Sequence, residues 1–176
     1  MNNNENVKPT ALTETEASAE GFVASRLFSN LFAMGMELVE ETATYLDTDG
    51  RDAAKKLPRN GALAYAGSSM RLTTRLMQIA SWLLVLRALR DKEMTYAEAA
   101  NEKYRLGSPE PVREPSLGDD ELLPQALYDL IEECDQLFAR IARIDLDLFT
   151  GHKSATRERD AASQLRSLQA AFPTQD

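Results

Sequence analysis

Residues 70–93 read MRLTTRLMQIASWLLVLRALRDKE and combine Leu72, Leu76, Ile79, Trp82, Leu83, Leu84, Val85, Leu86 and Leu89 with Arg71, Arg75, Arg87 and Arg90. The longest uncharged run lies between Arg75 and Arg87, eleven residues that include Gln78 and Ser81, whereas a membrane helix needs about 20 apolar residues. The stretch is too short to span a membrane. At helical period, Leu72, Leu76, Ile79, Leu83 and Leu86 share one side, while Met70, Met77 and Leu84 share another. Such a helix needs packing partners on two sides. Arg71, Arg75 and Gln78 form a third strip near its start, and Arg87 and Arg90 flank the last turn, where cations suit the helix dipole.

The packing partners are visible in both directions along the chain. Between 20 and 48, Phe32, Met36, Val39, Ala43 and Leu46 step by 4, 3, 4 and 3, with Phe28, Leu31, Gly35 and Leu38 widening the stripe. Between 120 and 149, Leu123, Leu127, Leu130, Cys134, Leu137, Ile141, Ile144 and Leu148 step by 4, 3, 4, 3, 4, 3 and 4. A repeat of that period favours helices packed nearly along one another. No segment alternates at period two over a useful length, so no strands are expected. The expected fold is all-α: three long helices in an antiparallel bundle, homodimeric, with flexible termini.

The joints are irregular. DTDGRDAAKKLPRNG carries Gly50, Pro58 and Gly61, with room for a short helix in DAAKKL. LGSPEPVREPSLGDDELLP holds Pro109, Pro111, Pro115 and Pro124, which bars helix over most of its length, and a short helix is expected before it at TYAEAANEKY. The chain divides into a tail over 1–18, a bundle domain over 19–150 with a proline-rich loop at about 106–119, and a tail over 151–176.

The 176 residues suit one domain with a single core. A net charge of -8 opposes binding to a phosphate backbone, which relies on clustered Lys and Arg, so nucleic acid is not an expected partner. The polar, acidic start MNNNENVKPTALTETEASAE has no secretory signal pattern, and Cys134, the one cysteine, has no internal disulfide partner. Both features point to the cytoplasm.

Motifs that carry chemistry are sparse. DTDGRD at 47–52 has the core of a calcium loop, but the register puts Tyr45 at the first ligand position and Lys56 where a bidentate Glu belongs. It reads as a turn. Glu37, Glu40 and Glu41 with Glu132, Glu133 and Asp135 imitate the carboxylates of a di-iron bundle, yet such sites use Glu-x-x-His motifs and His152, the only histidine, follows the third helix. Cys134 fits a small core position, no Ser, Cys or Asp has a suggestively placed His, and no glycine-rich phosphate loop is present. Neither catalytic residues nor a cofactor or metal site is expected.

Two readings stand for Arg71 and Arg75: an anion or partner site on the surface, or structural arginines that answer Glu37, Glu40 or Glu41 across the bundle or lie with their stems on apolar surface. The apolar surplus of the first and central helices predicts a homodimer, with Phe28, Phe32, Trp82 and Leu86 as interface candidates.

The runs MGMELVEETATYLDTDGR (34–51) and LAYAGSSMRLTTRLMQIASWLLVLRAL (63–89) resemble the RcdA family, the regulators of CtrA degradation of alphaproteobacteria. The resemblance covers roughly 20–150 and is weak in the tails and the proline-rich joint. It implies a small dimeric three-helix bundle without enzymatic activity. It further implies an adaptor that, with CpdR and PopA, delivers CtrA and other substrates to the ClpXP protease, localises transiently to a cell pole, and uses a flexible C-terminal tail. Two other classes compete with this role: a structural scaffold dimer at the cell pole and a small-ligand-binding helical sensor.

The tail HKSATRERDAASQLRSLQAAFPTQD (152–176) is polar in its first half, and mobility is expected there. In its second half Ala161, Leu165, Leu168 and Phe172 would form one stripe on a helix. That stripe either docks on the bundle or is offered to a partner, with Arg157, Arg159 and Arg166 attracting an acidic surface.

Overall fold

A computed structural model describes residues 14–106 and 123–171, with side chains to position 149 in the last helix. The elements are α1 (Glu14–Val23), α2 (Arg26–Asp47), α3 (Asp49–Ala54), α4 (Arg59–Arg90), α5 (Tyr96–Ala99), a 3-10 turn (Glu102–Tyr104) and α6 (Gln125–Ala171). Among the described residues there are no strands.

Capping chemistry places the breaks. Ser25 separates α1 from α2 by accepting the Phe28 N–H on its Oγ at 3.2 Å, and the two helices bend by 58° at this point. No single helix among the described residues is long and apolar enough to cross a membrane. The bent α1–α2 pair, which reaches that composition only jointly, buries Ala19, Val23, Phe28, Leu31 and Leu38 in the core. Pro58 precedes α4, where its missing N–H costs nothing. Thr95 and Glu98 form a capping box that starts α5.

α1 begins inside the stretch expected as a tail over 1–18, and Ala19 and Val23 anchor it. At the other end α6 continues as helix to Ala171, through the segment expected as a C-terminal tail.

Residue contacts give the helix directions. Gly35 lies against Leu83, the Arg87 guanidinium sits 5.5 Å from the Phe32 ring and that of Arg90 5.8 Å from Phe28, so α2 runs antiparallel to α4. Arg75 meets Asp135 and Trp82 meets Asp145, so α6 runs in the same direction as α4 and against α2. The antiparallel relation therefore holds for α2 against the other two. The connection over 91–124 is long enough to return the chain to the start of α4 before α6 begins.

The core stripe of α2 is also rotated from its expected position. Phe28, Leu31, Gly35, Leu38 and Thr42 are buried, Phe32, Met36, Val39 and Leu46 are half-buried, and Ala43 is exposed. Rotation brings Gly35 rather than Phe32 to the closest approach with α4: a Cβ on Gly35 would collide with Leu83 Cδ1. Leu72, Leu76, Ile79, Leu83 and Leu86 fill the centre from α4, and Leu127, Leu130, Cys134, Leu137, Ile141 and Leu148 fill it from α6.

Candidate partner-binding site

Two polar constellations sit between α4 and α6, and they differ in what they leave open. The first is closed. Asp145, 3% exposed, accepts from Trp82 Nε1 at 2.8 Å, from Arg105 Nε at 2.9 Å and from Arg105 Nη2 at 2.8 Å. The Arg105 guanidinium lies 4.6 Å from the centre of the Phe149 ring, Phe149 stacks on Tyr96, and the Tyr96 hydroxyl donates to the Leu148 carbonyl at 2.8 Å. Every buried charge here has an opposite charge and directed hydrogen bonds, as burial requires. The cluster ties the segment after α4 to the body of α6 and is structural. Arg105 and Asp145 leave little mark in the sequence because neither belongs to an apolar series; the only trace is an acid beside Ile144 on the otherwise apolar face of α6.

The second constellation opens to the surface. Arg71, Arg75, Met70 and Gln78 of α4 face Tyr128, Ile131, Asp135 and Phe138 of α6 across a groove of about 510 Å³, with Cys134 in its floor. Arg75 donates to Asp135 Oδ1 at 2.7 Å and lies 4.6 Å from the Phe138 ring centre. Its partner is thus Asp135 of α6, whereas Glu37, Glu40 and Glu41 stand on the exposed side of α2. Arg71 is different. Its Nη2 donates to Ser68 Oγ at 2.9 Å, and it meets no carboxylate within ion-pair distance among the described residues. Met70 and Tyr128 on the rim are 72% and 52% exposed. The groove therefore offers apolar walls with one guanidinium free of an acid, a fit for an apolar side chain next to a carboxylate. Burial, with the Asp135 charge adding to it, pushes the Cys134 thiol up to about 12, so the floor is a neutral apolar wall and not a nucleophile.

The other expected site residues fall elsewhere. Phe28, Trp82 and Leu86 are 0%, 2% and 0% exposed within the chain itself, so they are core residues and not an interface; Phe32 is half-buried beneath Arg87. The apolar surplus predicted for α4 is real but lies on its opposite side. Arg157, Arg159, Leu165, Arg166 and Leu168 lie on the helical backbone of α6, but their side chains, that of His152 and all of Phe172 are outside the described residues. Glu132 and Glu133 are exposed, Asp135 is taken up by Arg75, and among the described residues no group of three or more His, Cys, Asp or Glu is placed to hold a metal ion.

The geometry is that of an all-helical bundle whose open feature is a groove between two helices. A family model described as "Protein of unknown function (DUF1465)" matches residues 19–172. The crystal structure of RcdA from Caulobacter crescentus CB15 is similar at 44% identity, covering 74% of this chain and 98% of that chain, with a TM-score of 0.63. No curated protein matches the chain significantly. The chain belongs to the RcdA family.

Proposed function

We propose that this chain is a non-enzymatic adaptor that brings a CtrA-like cell-cycle regulator and other substrates to the ClpXP protease, working with CpdR- and PopA-like proteins. The kinship with RcdA across nearly all of that protein carries the reading. The α4–α6 groove suits the role physically, because an apolar cleft with an unpaired guanidinium can take a short acidic-apolar segment of a partner. In this reading the protein is homodimeric and cytoplasmic, gathers transiently at a cell pole, and offers the stripe of Leu165, Leu168 and Phe172 beside Arg157, Arg159 and Arg166 as a second contact.

A pull-down with a protease-trapping ClpXP variant, from strains with and without this protein, tests the adaptor role: cargo should enter the trap only when the protein is present. Reconstituted degradation separates the surfaces. Arg71→Glu should slow cargo loss at least tenfold if the groove binds, and replacing Leu165, Leu168 and Phe172 by Ala should slow it without changing the melting temperature if the tail binds. Unchanged trapping in the deletion strain would overturn the role and leave the scaffold reading.

The groove volume also favours a second reading, a sensor for a small ligand, since about 510 Å³ falls in the range of ligand sites. Native mass spectrometry of the purified protein tests it through a bound metabolite that Arg71→Glu abolishes.

A further inference from the structure

The hydroxyls of Tyr45 and Tyr65 are buried without a hydrogen-bond partner among the described residues. Buried polar groups nearly always have partners, because leaving one unpaired costs stability. The two phenols converge where α2, α3 and α4 meet. They flank Gly50 of α3: a Cβ on this glycine would lie 2.5 Å from Tyr65 Oη and 2.9 Å from Tyr45 Cε1. Gly50 is buried and its φ is not positive, so the position needs a glycine for the close approach of the phenols and not for its backbone. Tyr65, 9% exposed, also walls a cleft of about 490 Å³ at this corner, lined otherwise by Leu46, Arg51, Ala54, Lys55 and Ser69. The cleft shares no lining residue with the α4–α6 groove.

The chemistry of the corner is selective. Burial, and then the neighbouring Tyr65 and Asp49, push the Tyr45 hydroxyl above the ordinary tyrosine range, so at neutral pH it keeps its proton to donate. Leu46 and Ala54 supply an apolar wall, and the Ser69 hydroxyl is already committed to the Tyr65 carbonyl at 2.8 Å. At the mouth Arg51 pairs with Asp47, and Lys55 with Asp52 at 2.8 Å, all four side chains being more than half exposed. Pairs this exposed are worth little, so an incoming carboxylate can share either cation.

We propose that this corner binds a small organic molecule bearing one carboxylate: the Tyr45 and Tyr65 hydroxyls donate to its oxygens, Arg51 and Lys55 balance its charge at the mouth, and its short apolar body lies on Leu46 and Ala54. Binding then gives the two phenols the partners that the chain itself does not. The way in runs past α3. That helix has six residues and no side-chain cap at its start, since Thr48 Oγ1 donates to the Thr44 carbonyl instead, so it yields at less cost than α2 or α4. A doubly charged phosphate monoester fits less well. Asp47 and Asp52 already hold the two cations, and Asp49 stands beside Tyr45, so the corner has no surplus of positive charge for a second negative one. The inference goes beyond the adaptor role and does not depend on it.

Hexanoate is the probe, with hexanamide and hexyl phosphate as comparators, on the full chain. Titration followed by NMR should move the ring signals of Tyr45 and Tyr65 and give a Kd. At ten times that Kd, hexanoate should raise Tm by about 3–6 °C. Tyr45→Phe combined with Tyr65→Phe is the decisive variant. Without probe it should melt at or above the parent temperature, because it removes two buried hydroxyls that have no partner, and with hexanoate it should show no shift. Arg71→Glu should keep the full response, since it alters only the groove. A tyrosine variant that melts several degrees below the parent would overturn the proposal, because the hydroxyls would then have structural partners, an enclosed water included. So would a response that survives in the tyrosine variant or vanishes in Arg71→Glu, an equal shift with hexanamide, a larger one with hexyl phosphate, or ring signals that stay still at every soluble concentration of hexanoate. None of these outcomes bears on cargo trapping by ClpXP, so the adaptor role stands or falls separately.

Discussion

The indole Nε1 of Trp82 donates a 2.8 Å hydrogen bond to Oδ1 of Asp145, joining α4 to α6 inside the core. The same carboxylate holds Arg105 through two of its nitrogens, so a tryptophan from the centre of the chain and an arginine just before the proline-rich segment converge on one acid. This acid orients α6 beside α4 and fastens the connection that leads back to its start. Its loss would expose a dependence that apolar packing alone does not show.

Arg105→Ala should destabilise the fold by about 3 kcal/mol, because it leaves Asp145 buried with only the Trp82 donor. For a domain of this size that lowers Tm by roughly 6–12 °C. Thermal melts followed by circular dichroism check it. A shift near zero would mean that water reaches Asp145 and replaces the guanidinium.

Tyr96→Phe removes the 2.8 Å bond to the Leu148 carbonyl but keeps the ring stacked on Phe149. The expected loss is about 1 kcal/mol, the net worth of one hydrogen bond. Urea denaturation should show a lower midpoint at an unchanged slope. Tyr96→Ala should cost more, since the stacked surface goes too.

Gly35→Ala should destabilise despite the better helix propensity of alanine. The new methyl would meet Leu83 Cδ1, and Leu83 is 0% exposed and surrounded by core, so α2 and α4 must separate. Overpacking of this kind costs about 1–3 kcal/mol, against a propensity gain of about 1 kcal/mol. The net sign is a loss, read as a lower melting temperature. Pairing it with Leu83→Ala should recover part of that loss.

Cys134 gives a pH dependence. Burial raises its thiol from the ordinary value of 9.0 to about 12, so the folded state holds the proton more tightly than the unfolded one. The resulting stability is fully present below about pH 9 and is lost as pH rises towards about 12. The stability difference between the parent and Cys134→Ala, measured in urea, should therefore narrow with rising pH in that window. At neutral pH a thiol reagent should modify the parent only after unfolding.

The regular apolar steps from Leu127 to Ile141 and from Leu72 to Leu86 were sufficient to predict a helical bundle, because a 3.5-residue spacing can bury one face only as helix. The exposed line through Met70, Met77 and Leu84 was equally legible as a second apolar side of α4, and so was the joint that ends at Pro58. The arginines of the groove were legible as residues, but their partners were not. Choosing Asp135 over Glu37, Glu40 or Glu41 requires knowing that α6, not α2, borders that strip of α4. Helix direction had the same character: the long connection over 91–124 permits either sense, and the Trp82–Asp145 and Arg75–Asp135 pairs reveal the parallel one. The rotation of α2 that buries Gly35 and leaves Ala43 outside was likewise decided by the neighbouring helix, since both candidate stripes satisfy the same period. Periodicity records which side chains avoid water. Which neighbour covers them, from which direction, and which acid ends beside which arginine are set by packing between segments far apart in the chain.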